Sequence, residues 1–170
     1  FAGSLFAHRF GLVQASTSPV VRLCEQLTTL DTEQFVTGER FSRLADVSFY
    51  TTEYVEEFPS VTRNSRNIIF VNDDKDLDSS EKALIAMSQI FFIKVDNLPQ
   101  LVDKIFMHIT RPFVLLTHRS DMNAGESNAV LDHPQLRMWF GCNMEPRKKT
   151  RSVPLGLEDP GMWGRTDFQT

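Results

Sequence analysis

The chain has few of the residues that mark disulfide-rich or metal-binding proteins. Only two of its 170 residues are cysteines, Cys24 and Cys142, and their wide separation fits no close-spaced metal motif. The two cysteines are compatible with one disulfide or with two buried thiols, so they leave the compartment open. The chain also has no run of about 20 apolar residues, which predicts that it has no transmembrane span.

An excess of basic charge is missing as well. Lysine and arginine number 18 against 22 aspartates and glutamates, which gives a formal net charge of -4. Nucleic acids and anionic membrane surfaces attract basic proteins, so the sequence predicts no nucleic-acid partner. The one basic run, residues 147–151, is interpreted as a solvated turn, with an anion contact as the alternative.

Sequence motifs for phosphate binding and covalent catalysis are also lacking. No glycine-rich loop joins a predicted strand to a helix, and there is no serine nucleophile elbow and no metal-ligand pair at helical spacing. We therefore predict no metal or cofactor, and the sequence leaves the catalytic residues unknown. The acidic run 72–76 could offer oxygen ligands to a divalent cation, but its spacing matches no calcium loop and a solvated turn is preferred.

Apolar residues are abundant. Hydrophobic residues make up 41% of the chain, including 14 phenylalanines, which suits one buried core but not two. Short apolar runs at 67–72, 90–95 and 112–117 are typical of strands covered on both faces, and helical patterns at 79–87 and 98–109 separate them. Strands joined by crossover helices run parallel. The sequence thus predicts a Rossmann-like three-layer α/β domain with a short, mainly parallel sheet.

Other elements are predicted around this alternation. A helix is expected at 18–31, a strand at 47–52, a short helix at 135–140 with Asp132 as its cap, and an edge strand at 152–156. Ser79 or Ser80 is expected to cap the helix at 79–87. Residues 18–170 then form a single domain. Residues 1–17 form an apolar arm that either docks on a partner or lies on the domain, and a removed targeting segment could precede them.

Polar residues follow the third apolar run. His118, Ser120 and Asp121 come just after 112–117, at the carboxyl end of a predicted strand, where parallel sheets bind ligands. An imidazole, a hydroxyl and a carboxylate there could orient sugar hydroxyls or relay a proton. The alternative is a loop in which the serine and aspartate side chains bind backbone amides.

Four segments, at 92–98, 112–121, 131–143 and 153–158, resemble in order and spacing the amino-terminal half of exostosin-like glycosyltransferases, most clearly members from protists, algae and large viruses. The resemblance extends from about Phe41 to the end of the chain. It implies one of two Rossmann-like domains in a GT-B arrangement, the half that mostly holds the acceptor. The implied substrate-binding residues are His118, Ser120, Asp121, Asn143 and Gly156. Arg119 departs from the smaller polar residue expected there.

This resemblance implies two functions. The first is the acceptor-side half of a sugar-transfer enzyme that lacks its own nucleotide-sugar half and so needs a partner domain or subunit, with a carbohydrate as the acceptor. The alternative is a non-catalytic, glycosyltransferase-like accessory subunit of a larger protein complex. An active enzyme would be expected in the secretory pathway or Golgi, and an accessory subunit in an organellar complex. A free-standing nucleotide- or sugar-binding protein is a third interpretation.

Overall fold

The computed structural model describes residues 38–57, 66–72, 75–118 and 128–153, and the statements below concern these residues. The helices are α1 (Gly38–Leu44), α2 (Thr52–Glu57), α3 (Ser79–Met87), α4 (Leu98–Ile105) and α5 (Asn128–Leu131). The strands are β1 (Val47–Tyr50), β2 (Ile68–Phe70), β3 (Ile90–Lys94), β4 (Phe113–His118), β5 (Leu136–Gly141) and β6 (Thr150–Ser152). The predicted arm at 1–17 and helix at 18–31 lie outside the described residues.

The six strands form one sheet in the order β2-β1-β3-β4-β5-β6. Every neighbouring pair is parallel. The predicted parallel α/β fold is therefore confirmed, with more strands than the three apolar runs that indicated it. The first five strands follow the order 2-1-3-4-5, which is one of the two common orders of doubly wound sheets.

Helices cover both faces of this sheet, as the continuous apolar runs require. Successive residues of a strand point to opposite faces. Phe91 and Trp139 therefore pack in the core with α3 and α4, while Phe92 and Phe140 pack in the core with α1 and α2. The three-layer arrangement is confirmed, and the large side chains of Trp139 and Phe140 are both buried in it.

The helix predicted at 79–87 is present, but its predicted cap is wrong. Asp78 is the N-cap, and its Oδ1 accepts hydrogen bonds from the backbone N–H groups of Ser80 and Glu81, both at 2.8 Å. The Glu81 carboxylate accepts in turn from the Asp78 N–H at 2.9 Å, which completes a capping box. The Ser80 hydroxyl donates to Asp78, so this serine supports the cap without being the cap.

The helix predicted at 98–109 is α4 followed by a 3-10 turn, Phe106–His108. Asn97 occupies its N-cap position without a side-chain hydrogen bond, and Pro99 lies in the first turn, where its missing N–H leaves no helical bond unmade. Leu98, Leu101 and Ile105 are buried, which agrees with the helical pattern of apolar residues.

The prediction of a helix at 135–140 is wrong, because Leu136–Gly141 form β5 between β4 and β6. A short apolar run is compatible with a buried helix or a buried strand, and only the neighbouring strands decide between them. Asp132 therefore caps no helix there and lies in a turn after α5. The predicted last strand begins earlier, as β6, and lies at the sheet edge as expected.

The basic run lies in the connection between β5 and β6. Arg147 and Lys148 are exposed, in agreement with a solvated turn. Lys149 differs from that prediction, because its ammonium donates to the carbonyl oxygens of Leu131 at 3.3 Å and His133 at 3.5 Å. One cation of the run therefore binds the segment that connects α5 to β5.

Candidate functional site

The strand order reverses between β1 and β3. From β1 the chain passes through α2 to the edge strand β2, whereas from β3 it passes through α4 to β4 on the other side. The two connections lie on opposite faces, since α2 packs in one core and α4 in the other. Doubly wound sheets bind ligands beyond the carboxyl ends of strands at such a reversal. We call the region formed by Tyr54, Lys94, Asp96 and His118 the switch-point edge.

Lys94 is the last residue of β3 and the first charged residue after its apolar run. Its ammonium forms an ion pair with Asp96 and lies 4.7 Å from the centroid of the Tyr54 ring. The lysine side chain is only 20% exposed and that of Asp96 is 35% exposed. The charged pair is thus held in place by the protein and still reaches solvent.

Tyr54 belongs to α2, which begins directly after β1. Its N–H donates to the Thr51 hydroxyl at 3.4 Å, and its ring lies nearly parallel to that of Tyr50, with centroids 6.1 Å apart. The Thr52 hydroxyl donates to the Asn72 side chain at 3.1 Å, which ties the end of β1 to the residue pair that follows β2. These contacts hold the Tyr54 ring in position against the Lys94 ammonium.

His118 is the last residue of β4 and stands beside Lys94 in the strand register. The structure therefore places this predicted site residue at the switch-point edge. Its imidazole is 97% buried, however, and stacks on the Phe41 ring of α1, with the centroids 5.0 Å apart. The side chain of His118 therefore lies beneath the surface of this edge.

Asn143 lies two residues beyond β5, at the same carboxyl edge of the sheet. It is exposed and has a φ of 53°, a left-handed conformation that asparagine tolerates better than most residues. The predicted residues Ser120, Asp121 and Gly156 lie outside the described part of the chain.

The residues that sequence reasoning missed are Tyr54, Lys94 and Asp96. The signal for Lys94 was its position, because a single lysine ends the otherwise apolar run at 90–95. The tyrosine carried no such signal, since it lies 40 positions earlier and only the folded sheet brings it to Lys94.

No protein-family model matches this chain, and no curated protein or solved structure is significantly similar to it. The resemblance to exostosin-like proteins therefore stays a prediction from the sequence.

The ends of β4 and β5 pack closely together next to the switch-point edge. The indole N–H of Trp139 donates to the Thr117 hydroxyl at 2.9 Å, and that hydroxyl also approaches the carbonyl oxygen of Phe140 at 3.5 Å. A Cβ atom at Gly141 would lie 2.4 Å from the same hydroxyl oxygen. A side chain at position 141 would therefore have to displace the Thr117 hydroxyl, which the Trp139 indole uses as its acceptor.

Metal clusters and membrane-spanning helices are absent from the described residues. Within the described ranges, no group of three or more histidine, cysteine, aspartate or glutamate side chains could hold a metal ion. None of the helices described is long and apolar enough to cross a membrane. Cys142 is buried, while Cys24 lies outside the described residues.

The chemistry available at the switch-point edge is that of binding. The ammonium of Lys94 can only donate hydrogen bonds, and the ionised carboxylate of Asp96 can only accept them. The Tyr54 ring, which is itself buried, lies against the Lys94 ammonium. A donor and an acceptor side by side suit a small ligand rich in hydroxyl groups, since a hydroxyl group both donates and accepts.

Proposed function

We propose that this chain is the acceptor-side half of a glycosyltransferase-like protein and binds a carbohydrate over the switch-point edge. The nucleotide-sugar is then held by a second domain or by a partner subunit. One observation supports the proposal most directly. Lys94, Asp96 and His118 lie at or just beyond the ends of two neighbouring parallel strands, where the strand order reverses.

The sequence resemblance supports the same location. Two of the segments that resemble exostosin-like glycosyltransferases, at 92–98 and 112–121, contain the ends of β3 and β4 together with the residues that follow them. Lys94 and His118, the last residues of β3 and β4 in these segments, therefore lie side by side at the carboxyl edge of the sheet.

A binding titration tests this proposal. The purified chain is titrated calorimetrically with a panel of neutral oligosaccharides and, separately, with nucleotide-sugars. We expect an oligosaccharide to bind and the nucleotide-sugars to require the second half of the enzyme. Asp121→Ala is expected to weaken oligosaccharide binding while leaving the thermal unfolding midpoint unchanged, because the sequence predicts that Asp121 lies in a ligand-binding loop after the third apolar run.

Asp103→Ala is the matched control, because Asp103 is an exposed aspartate on α4 and its replacement changes the charge equally. Equal weakening by both variants would show a general charge effect. If the native protein, purified with its partners, binds no carbohydrate and remains in a stable multi-subunit complex, the proposal is wrong and the accessory-subunit function is favoured.

A further inference from the structure

The ion pair at the end of β3 points to a narrower ligand class. We infer that Lys94 and Asp96 bind two adjacent hydroxyl groups of the ligand, so that a vicinal diol is the group recognised at the switch-point edge. This inference rests on the proposed carbohydrate-binding function and deepens it.

The hydrogen-bonding capacity of the pair carries the first step. Lys94 offers donors only and Asp96 offers acceptors only, whereas a hydroxyl group both donates and accepts. Two adjacent hydroxyls can therefore satisfy the pair together, with one accepting from the ammonium and the other donating to the carboxylate. The ammonium and the carboxylate are in direct contact, so the two ligand groups that bind them must also lie close together. Hydroxyl oxygens on neighbouring carbons meet this requirement, because they lie about 3 Å apart, a separation similar to a hydrogen bond.

The rigidity of the pair carries the second step. The Tyr54 ring supports the ammonium from one side, and Asp96 is held in the 3-10 turn Val95–Asn97. Both charged groups keep part of their surface in solvent, with 20% of the Lys94 side chain and 35% of the Asp96 side chain exposed. A ligand thus meets groups that are already positioned, which lowers the entropy lost on binding.

The charge balance favours a neutral ligand over an anion. The Asp96 carboxylate already neutralises Lys94, so a phosphate or carboxylate group would have to displace it or lie beside a like charge. The chain as a whole carries a net charge of -4, which adds to the repulsion of anions. A neutral diol can contact both members of the pair without separating them.

The test is a titration followed by backbone amide shifts in 15N–1H spectra. The probes are methyl mannoside, which is neutral and has vicinal hydroxyls, and inorganic phosphate. The proteins are the wild type, Lys94→Met, Lys94→Gln, Asp96→Asn and the control Lys82→Gln, which removes one exposed positive charge on α3. Far-UV circular dichroism identifies the variants that keep the native fold.

We expect the sugar to shift the amides around residues 50–54 and 94–97 in the wild type and in the control. Its affinity should fall about tenfold or more in the folded Lys94 and Asp96 variants, since each loses a hydrogen bond to a charged group. Stronger binding of phosphate than of the sugar would overturn the inference.

Sugar binding that Asp121→Ala weakens but Lys94→Gln and Asp96→Asn leave unchanged would also overturn the inference, with the proposed function still standing. Binding of neither the sugar nor the oligosaccharide panel would refute both.

Discussion

Replacing Gly141 by alanine should destabilise the fold through one identifiable contact. The new Cβ would lie 2.4 Å from the Thr117 hydroxyl oxygen and 3.0 Å from the Met144 sulfur. If the threonine stays, the overpacking costs about 1–3 kcal/mol. If its hydroxyl rotates away, the buried Trp139 indole N–H loses its acceptor, which costs about the same, ~1–3 kcal/mol. Either response lowers the free energy of unfolding measurably.

A double-mutant cycle with Thr117→Ala isolates this contact. The threonine replacement alone leaves the Trp139 indole without its acceptor and should cost about 1–3 kcal/mol. In the double variant the clash at Gly141 is largely removed because the hydroxyl is gone. The double variant should therefore be more stable than the sum of the two single effects predicts, by about 1 kcal/mol or more.

Urea denaturation followed by tryptophan fluorescence measures the four free energies of unfolding at one temperature. A second cycle that pairs Gly141→Ala with Thr110→Ala, at an exposed position before β4, is the control and should be additive. If the cycle with Thr117 is also additive within about 0.5 kcal/mol, the strand contact is refuted. The helix that the sequence pattern indicated at 135–140 gives no reason for this coupling.

Three further perturbations test the framework around the site. Asp46→Ala should lower the free energy of unfolding in urea by about 2 kcal/mol, because the carboxylate accepts both backbone amides at the start of β3, at 2.9 and 3.0 Å; no change would show that these bonds contribute nothing. The hydrogen bond from the Ser80 hydroxyl contributes most, and that from the Glu81 N–H next, to holding the pKa of Asp78 below its ordinary value of 3.8. The stability that this group adds is therefore present above that value and is lost as the pH falls through the lower pKa of the folded state. Asp78→Asn should flatten the stability curve as the pH falls below about 5, and an unaltered slope would contradict the capping role. His133→Phe keeps an aromatic ring in place but loses the bonds of both imidazole nitrogens, each at 3.2 Å, so the free energy of unfolding should fall by about 1–3 kcal/mol; an unchanged urea midpoint would refute this.

Local sequence patterns were sufficient to predict the fold class. The apolar runs that became β2, β3 and β4 and the helical stripes of α3 and α4 are local patterns, and each reports which of its own faces is buried. Their alternation requires crossover connections, and such connections make neighbouring strands parallel. The position of His118 at a strand end followed from the same local pattern.

The strand identity of 136–141 and the composition of the switch-point edge depend on contacts between segments that are distant in the chain. A run of six residues satisfies either a helix or a strand until neighbouring strands supply its hydrogen bonds, as β4 and β6 do for β5. Tyr54 and Lys94 are 40 positions apart, and their contact depends on β3 pairing with β1 after the chain has visited β2. Such contacts follow from the strand order, which local periodicity does not encode.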